Sequence, residues 1–184
     1  MIEFVRNKDY ILDLGCNTGR GGEEIRSKYP NSVLDGVDIV QERIDKIPQG
    51  IYRNLFCNSV ERVDFNGLKY DAIIGGEFAE HIPISLLKEM LHLFKTILHP
   101  GGQIVLTTPN PDYLLVKLGR DGVIRDPSHV NIMSHKVFRN LIEEAGFKNI
   151  QIKGTGRVSS VIGSSFPMLS VYGSYLVLAE PDTD

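Results

Sequence analysis

Short apolar runs alternate along this chain with stretches in which apolar residues recur every three or four positions. The runs at 10–14, 33–38, 51–56, 70–75 and 102–108 are rich in branched side chains and bounded by turn-forming residues, which predicts strands. Amphipathic spacing predicts helices at 20–28, 40–46, 84–97 and 134–145. The clearest stripe is Leu86, Leu87, Met90, Leu91, Phe94, Ile97 and Leu98, a face for packing on a sheet. Pro100-Gly101-Gly102 is expected to end that helix and turn the chain into the next strand. Ser134 suits the N-cap of the helix carrying Val137, Leu141 and Ile142, and Gly146 suits its C-cap. Two more strands are expected near 147–153 and 172–179. Such alternation implies an α/β domain, a mostly parallel sheet with helices on both faces, over residues 1–184.

Two stretches stay irregular. Residues 109–133 are rich in Pro, Gly, Asp and Asn, and a loop of that length on an α/β scaffold commonly carries function. Residues 154–170 mix Gly and Ser with Val, Ile, Phe and Met, and no element is assigned there.

Composition narrows the class without naming a chemistry. An apolar share of 42% and a charged share of 23% are those of a globular protein. The net charge of -3 gives no global basic footprint, so nucleic acid is disfavoured as a partner. Two cysteines, Cys16 and Cys57, are too few for a disulfide scaffold, which points to a reducing, cytoplasmic setting. No apolar run approaches a membrane span, and no membrane partner is expected.

The chemistry-bearing feature is Tyr10-Ile-Leu-Asp-Leu-Gly-Cys-Asn-Thr-Gly19. A strand ends there in Asp13 and breaks into a glycine-bracketed loop that opens a helix. This is how α/β folds build a nucleotide-shaped pocket. The spacing of Gly15 and Gly19 is not G-x-G-x-x-G, so no pyrophosphate cradle is implied, and an NAD-dependent dehydrogenase is disfavoured. The second strand, Val33-Leu-Asp-Gly-Val-Asp38, should bring Asp38 beside that loop, where a carboxylate can accept from vicinal ribose hydroxyls.

Further landmarks follow in order: Glu77-Phe-Ala-Glu80-His81 after the fourth strand, Leu98-His-Pro-Gly-Gly102, Thr107-Thr-Pro-Asn110, and Glu144-Ala-Gly-Phe147. Together with the first loop they resemble the class I S-adenosylmethionine (SAM) dependent methyltransferases, in the small-molecule and quinone O-methyltransferase-like branch. The likeness covers about residues 9 to 153. It implies a Rossmann-like seven-stranded sheet whose last strand is antiparallel, and a cofactor with no phosphate, in keeping with the loop.

The resemblance implies that SAM is held along Asp13, Gly15, Cys16, Asn17 and Gly19, by Asp38 on the ribose, by Asn58 at the adenine amine, and by Gly76 and Glu77. Family members usually have an acidic residue near Asn58, with Asp64 as the competing candidate here, and Asn58 also reads as a plain turn residue. The Cys16 thiol reads as a small packing group. Glu77, Glu80, His81 and His129 resemble the metal quartets of small-RNA 2'-O-methyltransferases and quinone-ring O-methyltransferases, which implies a divalent cation such as Mg2+. The competing reading makes Glu80-His81 a structural pair and His129 a loop anchor. Without a metal, His81 or His129 is the candidate general base. His92 and His99 are expected at the surface, and His135 in a structural role.

The expected reaction is methyl transfer to a hydroxyl of a small molecule or sugar. The alternatives are a metal-assisted RNA 2'-O-methyltransferase and a non-catalytic SAM-binding module. Only about nine residues precede the first strand, where family members carry covering helices. Closure of the pocket is therefore expected from the 109–133 segment acting as a lid or acceptor loop, from 154–170, or from the second subunit of a homodimer.

Overall fold

A computed structural model describes residues 1–5, 8–120, 126–156 and 159–182. The part of the expected lid at 121–125, and residues 157–158 of the second irregular stretch, lie outside the described residues. The strands are β1 (Tyr10–Leu14), β2 (Val33–Asp38), β3 (Asn54–Cys57), β4 (Tyr70–Gly75), β5 (Leu98–Pro109), β6 (Phe147–Thr155) and β7 (Ser174–Pro181). The helices are α1 (Arg20–Lys28), α2 (Gln41–Ile44), α3 (Ile84–Ile97), α4 (Leu114–Lys117), α5 (His135–Glu144) and α6 (Ser159–Ile162). They enclose one seven-stranded sheet of order β3-β2-β1-β4-β5-β7-β6, parallel except for β7, which runs antiparallel to β5 and β6.

The order reverses between β1 and β4, which puts the mouth of the sheet where both strands end. Ile11, Leu12 and Leu14 are all buried because helices cover both faces of this parallel region. On one face Leu12 and Leu14 pack in a cluster with Leu87, Met90, Leu91 and Phe94 of α3. On the other, Ile11 meets Ile25 of α1, with Leu34, Ile74 and Val105. The α3 stripe thus docks as its spacing predicts.

Four boundaries depart from expectation. β3 begins at Asn54 rather than 51, and β7 runs from Ser174 to Pro181. α2 is a single turn. Pro100-Gly101-Gly102 does not separate α3 from its strand: α3 ends at Ile97, β5 begins at Leu98, and the ladder to β4 shifts register between Tyr70 and Ala72. The bulge absorbs the missing proline donor, so the strand continues through it. Ser134 does cap α5, its side chain accepting from the Val137 N–H, while Val137 itself faces outward and Phe138 takes the buried position.

One buried carboxylate ties three strands together. Asp35 has no exposed surface and accepts from Arg53 Nε at 3.0 Å, Asn54 N at 3.1 Å, Asn54 Nδ2 at 3.0 Å and the Tyr70 hydroxyl at 2.9 Å. Tyr70 reaches it from β4, across the underside of β1. Replacing Asp35 with Ala orphans the Tyr70 hydroxyl in the core, whereas Arg53 can turn to water. The expected loss is about 2–3 kcal/mol of unfolding free energy by urea titration, set mainly by the stranded buried groups. A loss below about 0.5 kcal/mol would show that the network contributes only packing.

Candidate cofactor cleft and acid-histidine cluster

The loop after β1 is shaped by backbone geometry before any side chain enters. Gly15 has φ of 63° and Asn17 of 51°, left-handed values that turn the chain sharply into α1. Gly19 N–H donates to the Cys16 carbonyl at 2.9 Å, and Cys16 N–H to the Val37 carbonyl at 3.0 Å, which fastens the loop to β2. A Cβ on Gly22, one turn into α1, would overlap the Tyr52 hydroxyl, so glycine is required for the close approach of that ring.

Asp38 closes the loop from the side. Its Oδ2 accepts from the Asn17 N–H and its Oδ1 from the Val40 N–H, each at 2.9 Å. It is buried, yet each oxygen keeps one lone pair for a ligand. Ile39, the next residue, is 71% exposed. Asn58 behaves differently. It is exposed and its Oδ1 accepts from the Ser59 N–H in a local turn, so the turn reading describes its geometry. Asp64 likewise closes a turn, with the Asn66 N–H.

Asp13 faces α1 and receives the Tyr52 hydroxyl at 2.5 Å. Burial raises its pKa to about 6, against the opposing effect of that hydrogen bond. Burial also pushes the Cys16 thiol up to about 12, which leaves it protonated and inert, as its packing role requires. Nothing in the sequence singled out Tyr52, whose distance from Asp13 along the chain hides the pair.

The second group gathers where β4 ends. Gly76 and Glu77 are exposed, and Glu77 has φ of 49°, a strained value for a residue with a Cβ. Its N–H donates to Thr107 Oγ1 at 2.9 Å, and Ser174 Oγ lies 3.5 Å from its Oε2. Desolvation raises the Glu77 pKa, with the Thr107 and Ser174 hydroxyls opposing it. The chain then makes a 3-10 turn, Ala79–His81, that drives Glu80 inward until it has no exposed surface.

Glu80, His81 and His129 each bring one ligand atom within 4.8 Å of the others, and the two imidazoles stand edge to face with centroids 5.0 Å apart. Glu77 does not join that mutually close trio, although its carboxyl interacts with that of Glu80, so three of the four expected metal ligands converge. The 126–133 segment makes this convergence possible. Val130 and Asn131 donate their N–H groups to the Glu80 carbonyl at 2.9 and 3.0 Å, and the Ser128 carbonyl lies 3.1 Å from His81 Nδ1. That carbonyl can only accept, so Nδ1 is the donor of this contact and Nε2 points away from it.

Among the described residues, the buried side-chain atoms without a hydrogen-bond partner are both Glu80 oxygens, Thr108 Oγ1, His129 Nδ1 and His135 Nδ1. Thr108 pairs with Tyr175 across the β5–β7 ladder, and the His135 ring stands 6.4 Å from that of Tyr175, so the whole set falls in one neighbourhood. Burial raises the Glu80 pKa to about 7. His92 is exposed as expected, but His99 is half-buried and its Nδ1 lies 2.9 Å from Asp71 Oδ1.

Known proteins resemble this chain in sequence and in fold. A family model described as a methyltransferase domain matches residues 3–152. Malonyl-[acyl-carrier protein] O-methyltransferase 2 of Ilyobacter polytropus is 32% identical over 106 residues, 55% of this chain and 40% of that protein. The mitochondrial ubiquinone biosynthesis O-methyltransferase of Mus musculus is 30% identical over 118 residues, 59% of this chain and 31% of that protein. The chain spans 27% to 54% of the length of the curated relatives it matches. A SAM-dependent methyltransferase from Archaeoglobus fulgidus shares the fold with a TM-score of 0.73 at 21% identity, over 97% of this chain and 88% of that one.

The Asp13 environment gives a signed pH dependence. Its folded pKa is raised, so the native state binds the proton more tightly than the unfolded chain does. Stability is fully present below about pH 4 and falls as pH rises through about 6. Asp13→Asn keeps an acceptor for Tyr52 and removes the buried charge. At pH 8 the variant should be more stable than the parent by on the order of 2 kcal/mol, with the gap vanishing near pH 4, as read by urea titration at both pH values. A gap independent of pH would refute the assignment.

Proposed function

The chain belongs to the methyltransferase domain family, as a class I SAM-dependent methyltransferase, and from that premise we propose that it moves the SAM methyl group to a hydroxyl of a small molecule. The observation that carries this reading is the placement of the Glu80, His81 and His129 cluster at the carboxyl end of β4, next to the loop fixed by Asp38.

In this reading the free lone pairs of Asp38 take the ribose hydroxyls, as charge-assisted bonds. The exposed Ile39 offers an apolar surface to the adenine. Gly15, Asn17 and Gly19 give backbone room for the methionine end, and Asp13 braces the loop from behind. The acceptor oxygen attacks the methyl carbon in line with the sulfonium, S-adenosylhomocysteine leaves, and the hydroxyl proton passes to the imidazole lone pair of His81 or to His129. Much of the acceleration comes from holding oxygen, carbon and sulfur in line.

The cluster also fits a divalent cation. A fully buried carboxyl with two orphaned oxygens, beside two imidazoles, is what a metal ligand set needs before the ion enters. Glu80, His81 and His129 would hold it, with Glu77 alongside. Bound there, the cation would lower the pKa of the acceptor hydroxyl. Leu114, Leu118, Phe166 and Met168 are exposed at the same end of the sheet, which favours an acceptor with an apolar body. The net charge of -3 argues against RNA.

Calorimetry with SAM, S-adenosylhomocysteine and NAD tests the donor half. Both sulfur compounds should bind and NAD should not. Asp38→Ala should weaken SAM binding about tenfold or more, since one charge-assisted hydrogen bond is worth about 1.5–3 kcal/mol. Unchanged affinity would reject the ribose role. Labelled SAM offered to hydroxylated aromatics, to sugars and to short RNA, with and without EDTA, tests the acceptor half. Transfer to RNA alone would favour the 2'-O-methyltransferase reading. Binding of SAM with no transfer to any class would favour a non-catalytic module.

A further inference from the structure

Asn110 follows the last residue of β5 and is 1% exposed. Burying an amide is unfavourable unless its donors and its acceptor are used, and here they are. Its Nδ2 donates to the Leu169 carbonyl at 2.9 Å and to the Tyr172 carbonyl at 3.0 Å. Its Oδ1 accepts from the Asp112 N–H at 3.0 Å. The backbone adds two more bonds: the Asn110 N–H donates to the Gly173 carbonyl at 2.8 Å, and its carbonyl accepts from the Tyr113 N–H at 3.1 Å. An asparagine that only shaped a turn would need no more than the Asp112 bond. The two Nδ2 bonds reach 59 and 62 residues along the chain, into the 3-10 turn Leu169–Val171 and the residue after it.

These bonds join the two stretches in which the sequence shows no regular pattern. The first leaves Asn110 for α4, and its far end lies on the acid-histidine cluster, where Val130 and Asn131 donate to the Glu80 carbonyl. The second is held at Tyr172, which is fully buried and whose hydroxyl donates to the Gly163 carbonyl. Gly154 holds it too, donating its N–H to the Ser164 carbonyl at 2.9 Å. Pro109 pairs with Ser174 in the β5–β7 ladder, so both stretches leave the sheet side by side. Asn110 bridges them with its side chain and its backbone alike.

We propose that Asn110 is a positioning residue that locks the segment after β5 and the segment before β7 into one cap on the acceptor side of the cleft. Leu114 and Leu118 of the first segment, and Phe166 and Met168 of the second, are the exposed apolar residues of that cap. The acceptor role rests on the reading given under the proposed function, whereas the coupling of the two segments does not. Pocket closure by one segment or the other is then a false choice, because they move as one body.

The test uses the full chain with bound S-adenosylhomocysteine, with hydrogen exchange read by mass spectrometry. Asn110→Asp keeps an oxygen for the Asp112 N–H and loses both Nδ2 donors. If the segments were independent, 163–172 alone would loosen. One body requires amides at 112–118 and 163–172 to exchange about tenfold faster together, while β1 and α1 exchange as in the parent protein. Affinity for S-adenosylhomocysteine by calorimetry should stay within about twofold. The acceptor side is read with labelled SAM, using catechol and glucose as hydroxylated probes. Asn110→Asp should raise the KM of the probe that is methylated about tenfold and leave the KM of SAM within about twofold.

Faster exchange confined to one segment overturns the coupling, and unchanged exchange in both overturns the role of the side chain. An unchanged probe KM overturns the acceptor role. If the parent protein binds S-adenosylhomocysteine but methylates neither probe, the acceptor reading and the acceptor role fail together, while exchange still decides the coupling. Thermal melting checks that the variant folds, and Asn110→Ser, which also keeps an acceptor oxygen, replaces an aspartate variant that does not.

Discussion

Burying a carboxyl group with no hydrogen bond is among the most unfavourable things a fold can do, and the cleft is arranged around one such group. Glu80 has no exposed surface, and its two oxygens make no hydrogen bond among the described residues. The backbone there is well satisfied, since its carbonyl accepts from both Val130 and Asn131. Those two bonds fasten the 126–133 segment to the turn and bring His129 onto the same spot. The unsatisfied side chain and the satisfied backbone belong to one residue.

The donor side solves a different problem by different means. SAM carries no phosphate, so its loop needs neither a run of donor groups nor a basic residue. It needs a tight turn, a carboxylate and room. The positive φ at Gly15 and Asn17 supplies the turn, and the Asp38 carboxylate pins the loop through the Asn17 N–H. Two backbone donors hold Asp38 in place and remove its rotational freedom.

Much of this was legible in the chain because the relevant information is local. The strand runs, the α3 stripe, the Ser134 cap and the glycine loop each follow from neighbours a few residues apart, and the strand-helix alternation then constrains the topology. What escaped was contact between residues distant in sequence. Tyr52 on Asp13, Tyr70 on Asp35 and Ser128 on His81 are separated by 39, 35 and 47 residues, and no periodicity reports them. The Pro-Gly-Gly segment misled for a related reason: proline and glycine signal a break locally, but a bulge against β4 lets the ladder resume. His99 looked superficial until β4 brought Asp71 to it.

The two glutamates show how one short segment reaches two depths. Glu77 is exposed at the cleft and strained in backbone, while Glu80, one turn later, is deeply buried and strained electrostatically. A regular helix or strand could not do this, because it would place residues three apart on one face or on alternating faces at fixed depth. The left-handed step at Glu77 followed by the 3-10 turn at Ala79–His81 changes direction within three residues.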